Sequence, residues 1–173
     1  MITLTLQHRE YLRRWAGSAA LLPFAIYFAT ADAIYNPGAL WQLFHAACLI
    51  PHEAGHFFFR VFGEFAMIAG GTIMQILLPA ILVFQGVYWE HRLGTQLALL
   101  WLGQSCVDVS IYAADASAQS LPLLGGSAVI HDWHYMLARL DWLAYHQTIA
   151  GAWFAAGCVV WLVMLAVPAV LRH

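Results

Sequence analysis

The sequence contains no lysine and little charge of either sign: seven basic residues, all arginine, and nine acidic ones among 173, for a formal net charge of -2. A soluble domain carries roughly 25% charged residues, and the 9% here cannot coat a water-facing surface. Without a basic excess the chain also lacks the electrostatic footprint by which proteins hold nucleic acid, and no such partner is expected. Three cysteines, Cys48, Cys106 and Cys158, lie singly in apolar runs with no CxxC spacing. That excludes a disulfide framework and a cysteine-ligated metal and leaves buried reduced thiols. No internal repeat is discernible, so an inverted-repeat transporter is not suggested.

What is present is apolar: 62% of residues are hydrophobic and the mean hydropathy is +0.71. A spanning helix needs about 20 mostly apolar residues. Five stretches qualify, Trp15–Tyr35, Leu40–Val61, Phe65–Tyr88, Leu93–Ala116 and Gln147–Val170, and a shorter amphipathic helix is predicted over His131–Ala144. The expected fold is therefore all-α, a single polytopic bundle of five spans and one short helix. Turn residues divide it at Asn36-Pro37-Gly38, Gly63, Trp89-Glu90-His91-Arg92, Ser120-Leu121-Pro122 and Gly125-Gly126-Ser127. Ala31-Asp32-Ala33 resembles a signal-peptide cleavage site, but the apolar run before it is long and reads as an uncleaved first span. Arginine placement orients the bundle in the cell (inner) membrane. With the N-terminus cytoplasmic, inner segments hold Arg9, Arg13, Arg14, Arg60 and Arg139, outer ones hold Arg92 and Arg172, and the C-terminus lies outside.

Ionisable groups within spans are costly and point to function. In the second span His52-Glu53-Ala54-Gly55-His56 forms an HExxH pattern. Positions four apart share a helix face, so His52 and His56 can grip one ion while Glu53, turned by about 100°, reaches its bound water. Zinc accepts imidazole, keeps an open position in catalytic sites and lowers the pKa of its water, whose proton the glutamate takes. The expected cofactor is Zn2+ and the expected catalytic base is Glu53. His45 lies two turns upstream on the same face, and Pro51 should bend or restart the helix before the histidines. Gly55 should let another backbone approach closely. Haem ligation and a purely structural polar network are the other readings of these residues.

A catalytic zinc wants three protein ligands. Gln104, Asp108, Tyr112 and Asp115 form one polar stripe along the fourth span. Asp108 and Tyr112 either reach the metal or satisfy neighbouring helices by hydrogen bonding. The cluster His131-Asp132-Trp133-His134-Tyr135 offers further groups. His131, Asp108, Asp132 and His134 are all candidates for the third ligand. His131 is favoured because its segment returns at compatible depth, and Asp108 or Asp132 can serve as ligand instead or hold a ligand histidine from behind. His134 reads as an interfacial histidine beside Trp133 and Tyr135, while Tyr112 and His45 belong to the surrounding polar network or a substrate wall.

The run from His52 through Arg60-Val61-Phe62-Gly63, followed by Gly70-Gly71 and an apolar helix, resembles the site-2-protease-like intramembrane zinc metallopeptidases over about a quarter of the chain. The resemblance implies zinc on His52 and His56, Glu53 as base, and a re-entrant, strand-like segment over Gly63–Gly71. That family's aspartate motif, Asn-Pro followed by Leu-Asp-Gly, is absent. The remainder resembles a group of small uncharacterised prokaryotic membrane proteins. The expected activity is an intramembrane zinc hydrolase, a peptidase acting on a membrane-embedded peptide. The alternatives are a zinc-dependent lipid amide or ester hydrolase and a non-enzymatic membrane protein that handles metal ions or protons. Membrane lipids are the expected surroundings in every case.

Overall fold

The structure is a computed structural model and describes residues 2–30, 38–124 and 129–171. Among these residues every regular element is helical: α1 Ile2–Thr30, α2 Ala39–Phe59, α3 Glu64–Tyr88, α4 Arg92–Ala114, α5 Asp132–Arg139 and α6 His146–Val170. Short 3-10 turns at Arg60–Phe62 and Leu143–Tyr145 lead into α3 and α6. The predicted breaks at Asn36-Pro37 and at Gly125-Gly126-Ser127 lie outside the described residues.

Three of these helices are long and apolar enough to cross a membrane: Glu64–Tyr88, Arg92–Ala114, and α6 with its leading turn, Leu143–Val170. They coincide with the third, fourth and fifth predicted spans, and α4 against α6 is the most extensively packed pair. The first two predicted spans do not meet that standard. The N-terminal half of α1 carries Arg9, Glu10, Arg13 and Arg14, and its described part stops at Thr30. The second half of α2 holds His52, Glu53 and His56 among its apolar residues.

Side-chain contacts show how α1 and α2 are disposed. The Arg14 guanidinium donates to the carbonyls of Pro168 and Ala169, at the C-terminal end of α6. Ser18 donates to the Leu165 carbonyl at 2.9 Å and accepts from Gln96 of α4 at 2.8 Å. At its other end Phe28 packs its ring against Trp41 and Phe44 of α2 and Trp161 of α6. From there α2 runs antiparallel to α3, with His52 at Gln75 and His56 at Met67, and α3 is antiparallel to α4, with Gly86 by Thr95 and Gln75 by Asp108, so α2 runs the same way as α4. α1 and α2 thus succeed one another along α4 instead of folding back as a hairpin. Arg14, midway along α1, lies beside the end of α6, and Ser18 beside Leu165, so α1 runs antiparallel to α6.

Local chemistry sets the rest. Gly63, at φ 98°, adopts a backbone that side chains rarely tolerate and reverses the chain between α2 and α3. The predicted re-entrant strand over Gly63–Gly71 is instead helical from Glu64 onward. Ile68, Gly70 and Gly71 are buried there, and helix is the form in which the segment can pack along α2. Pro51 is accommodated within α2, which does not restart there. Gly55 behaves as its size suggests: a Cβ at this position would run into the Gly70 carbonyl of α3. The predicted amphipathic helix is shorter than expected. It ends at Arg139 because Asp141 takes a positive φ of 58° and breaks the ladder before the 3-10 turn. Two apolar cores result. One surrounds Phe28, Trp41, Leu100 and Trp161, and the other joins Ile68, Val109 and Ala113 to Trp133 and Leu137 of α5.

Two outcomes follow from this packing. Reporters fused at the two ends of the chain should report the same compartment, and opposite compartments would mean that α1 and α2 each cross separately. Gly55→Ala should separate α2 from α3 and lower stability by about 1–3 kcal/mol, measurable as a fall in the thermal unfolding midpoint of the purified protein.

Candidate metal centre

The close crossing of α2 over α3 sets the site. Because Gly55, Gly70 and Gly71 lack side chains, the imidazoles of His52 and His56 lie directly on the α3 backbone. A Cβ on Gly71 would come within 2.7 Å of His52 Nε2 and 2.8 Å of His56 Cε1. One helical turn apart on one face, the two rings stand nearly perpendicular, with centroids 4.9 Å apart. Both Nε2 atoms face the same oxygen, Asp132 Oδ2, at 2.9 Å from His52 and 3.3 Å from His56.

Asp132 is the first residue of α5 and is itself buried. Its backbone amide donates to the Tyr112 hydroxyl of α4 at 3.1 Å, which ties the start of α5 to the bundle. Burial pushes the Asp132 carboxyl up, but hydrogen bonds from His52 and His56 outweigh it and hold the group below the ordinary carboxylate value. His52, His56 and Asp132 each present one ligand atom, all within 4.8 Å of one another. Two imidazole nitrogens and one carboxylate oxygen are a donor set that can hold a divalent transition ion, zinc among them.

Each histidine is held from behind through its other nitrogen. His56 Nδ1 lies 2.9 Å from the Met67 carbonyl, and His52 Nδ1 lies 3.0 Å from Gln75 Oε1. Gln75 Nε2 donates to Asp108 Oδ2 at 2.8 Å, and Asp108 Oδ1 meets His45 Nδ1 at 2.6 Å. Asp108 is therefore an outer partner, joined to the site by Gln75 rather than by direct contact with either histidine. Tyr112 sits beside the centre, its ring 6.1 Å from that of His52 and 4.3 Å from that of His131.

His131, the favoured third ligand, does not join the pair, and Asp132 stands in that place. His131 caps α5: its Nδ1 accepts from the His134 amide at 3.2 Å, and its Nε2 meets Asp115 Oδ2 at 3.3 Å. With both ring nitrogens engaged, no lone pair is left for an ion. Burial pushes the His131 imidazole below its usual value against the pull of Asp115. Burial pushes Asp115 up, and its bonds from the Ser120 hydroxyl and the Leu121 and Ser120 amides bring it below the carboxylate norm. His134 is turned away, 2.7 Å from the Ala116 carbonyl.

A cavity of about 340 Å³ opens onto the centre. His45, Glu53 and Asp108 line it together with His52, His56 and Asp132, and Leu49, Ile111 and Leu121–Leu124 supply apolar wall. Glu53 is exposed and makes no hydrogen bond among the described residues. A wider hollow of about 500 Å³ at the far end of α3 and α4 is walled by Trp89, Leu97 and Trp101. Its one imidazole, His91, is already engaged in capping α4. Gln75 and the Met67 carbonyl were not singled out by the sequence, and Gly71 was expected only as part of a re-entrant segment. Only Gln75 carried a signal, as a lone amide in an otherwise apolar span.

Zinc should bind the purified protein at about one ion per chain. His52→Ala, His56→Ala and Asp132→Ala should each abolish that stoichiometry, whereas His131→Ala should retain it. Metal analysis after dialysis checks all four. Compared with protein-family models, with curated proteins and with solved structures, the chain gives no match.

Proposed function

We propose that the protein is an integral membrane zinc-dependent hydrolase, a metallopeptidase in which His52, His56 and Asp132 hold the ion and Glu53 is the general base. The observation that carries this reading is the division of labour within five residues of α2. His52 is buried against Asp132 and His56 half-buried, while Glu53 is exposed in the cavity that reaches them. A bound zinc ion would supply Lewis acidity, polarising a carbonyl and making water a stronger acid.

The chain's own groups supply the remainder. Glu53 takes the proton from the attacking water and delivers it to the leaving group, a transfer that needs a carboxylate free of other bonds. Asp132 balances the charge of the centre in surroundings where an unpaired charge would be costly. Leu49, Ile111 and Leu121–Leu124 keep bulk water out and offer apolar contact to the substrate. A peptide substrate has to arrive locally unwound, since helical amides are shielded by their own hydrogen bonds. The apolar wall equally suits an acyl chain, which keeps a lipid amide or ester hydrolase as the second reading. The chain of bonds from His45 through Asp108 and Gln75 to His52 is what would favour a carrier of metal ions or protons.

Arginine placement favours one orientation. Arg9, Arg13, Arg14 and Arg92 lie toward the end where α1 begins and α6 finishes, and Arg60 and Arg139 lie toward the other. The positive-inside rule then puts the N-terminus in the cytoplasm. On this disposition the metal centre belongs to the outer half. Tyr112 lies sixteen residues beyond Gln96 along α4, about 24 Å by helical rise.

Glu53→Gln separates the readings. An enzyme should keep its zinc and lose turnover by about 10²–10⁴-fold on a panel of transmembrane peptides and lipid amides or esters. A variant that loses neither zinc nor turnover would remove Glu53 as the base, and a carrier would keep its transport rate.

A further inference from the structure

We propose that Asp108, although it bonds to none of the three ligands, decides through Gln75 which nitrogen of His52 is free to bind metal. The inference rests on the metal-centre reading and names two positioning residues for it. An imidazole ligates through a bare ring nitrogen, and the proton must then sit on the other one. For His56 the matter is settled by the Met67 carbonyl, which can only accept, so Nδ1 keeps a proton and Nε2, which faces Asp132 Oδ2 at 3.3 Å in the absence of an ion, is the nitrogen that can be given up to a metal.

His52 has no such guarantee, because its partner is an amide with an acceptor at one end and a donor at the other. With Oε1 toward His52, as found at 3.0 Å, the ring holds a proton on Nδ1, and Nε2, which bonds Asp132 Oδ2 at 2.9 Å in the absence of an ion, is the nitrogen that would turn bare to receive one. With the amide reversed, the NH2 would demand a lone pair on Nδ1. The proton would then move to Nε2, into the place the ion needs. Carbonyl and amide ends are nearly the same shape, so packing alone does not choose between them.

Asp108 does choose. A carboxylate only accepts, and its Oδ2 lies 2.8 Å from Gln75 Nε2. Reversal would set the amide oxygen against the carboxylate oxygen and forfeit a charge-assisted bond, one of the stronger kinds. The other oxygen is engaged by His45 Nδ1 at 2.6 Å, which holds the carboxylate in that pose. The two histidines are therefore prepared by different devices, a fixed backbone carbonyl for His56 and a carboxylate-locked amide for His52.

The test uses the full chain purified in detergent, titrated with zinc alone, alongside 15N spectra of the zinc-loaded protein. Gln75→Met keeps the length of the side chain and removes the acceptor, and Asp108→Asn keeps the shape and releases the lock. Each should weaken zinc binding by about 10–100-fold, while the metal-free proteins elute and melt like the parent. The parent should show a slowly exchanging His52 Nδ1 proton that broadens or disappears in Asp108→Asn, a change that a merely structural role would not produce. If Asp108→Asn fails to accumulate, Gln75→Met decides by affinity. Zinc binding as tight as the parent's in these variants, with the Nδ1 proton unmoved, would overturn the inference. Should His52→Ala itself keep stoichiometric zinc, it is the metal centre that fails instead.

Discussion

The constraint on which the site depends is the backbone contact between α2 and α3. Helices whose facing residues carry side chains stay 8–10 Å apart, and small residues are what lets them come closer within a membrane. Gly55 on one helix and Gly70 and Gly71 on the other leave no Cβ where the two backbones meet, the Gly55 position lying against the Gly70 carbonyl and the Gly71 amide. That closeness puts the His52 and His56 rings on the α3 backbone and brings the Met67 carbonyl and the Gln75 amide within reach of their Nδ1 atoms. A bulkier crossing would leave both rings without support.

The second requirement is electrostatic. Two imidazoles and a carboxylate in an apolar bundle are tolerable only when each polar atom has a partner. Asp132 comes from a short helix outside the long apolar ones, and three things hold it in place. The His131 cap starts α5, the Tyr112 hydroxyl takes the Asp132 amide, and Trp133, Met136 and Leu137 bury the other face of the helix in the second core. His131 and Asp115 are thus builders of the scaffold that aims Asp132. That assignment explains why the histidine next to Asp132 stands outside the candidate centre: its ring nitrogens are spent on capping and on Asp115.

Much of the centre was legible in the chain because its elements are local. An i, i+4 histidine pair with an intervening glutamate has its geometry set by helical periodicity alone, and α2 presents it accordingly. Gly55 as a point of close approach was legible for the same reason, since the absence of a side chain is a local property. The third member of the candidate centre was not. His131 and Asp132 are adjacent and differ by about 100° in direction on a helix, and the choice between them turns on where α5 begins. A cap residue points back at its own helix, and the sequence placed His131 inside the helix when it is the residue before it. Gln75 was passed over because a single amide in an apolar span has no partner visible in sequence. Its partners stand 23 and 33 residues away in the chain.

The sequence by itself determined that the chain is helical and apolar, for apolar runs of about 20 residues satisfy their backbone polar groups within the segment only as helices. It also determined which helix carries the histidines. The direction in which successive helices run was decided only by tertiary structure. Hydropathy counts stretches without regard to whether consecutive ones fold back or run on, and the contacts of Arg14, Ser18 and Phe28 are what make α1 and α2 run on. Tertiary structure likewise selected Asp132 over His131 and joined Asp108 to His52 through Gln75. Each of those outcomes depends on which lone pair faces which proton across separate helices, and no periodicity within one helix records that.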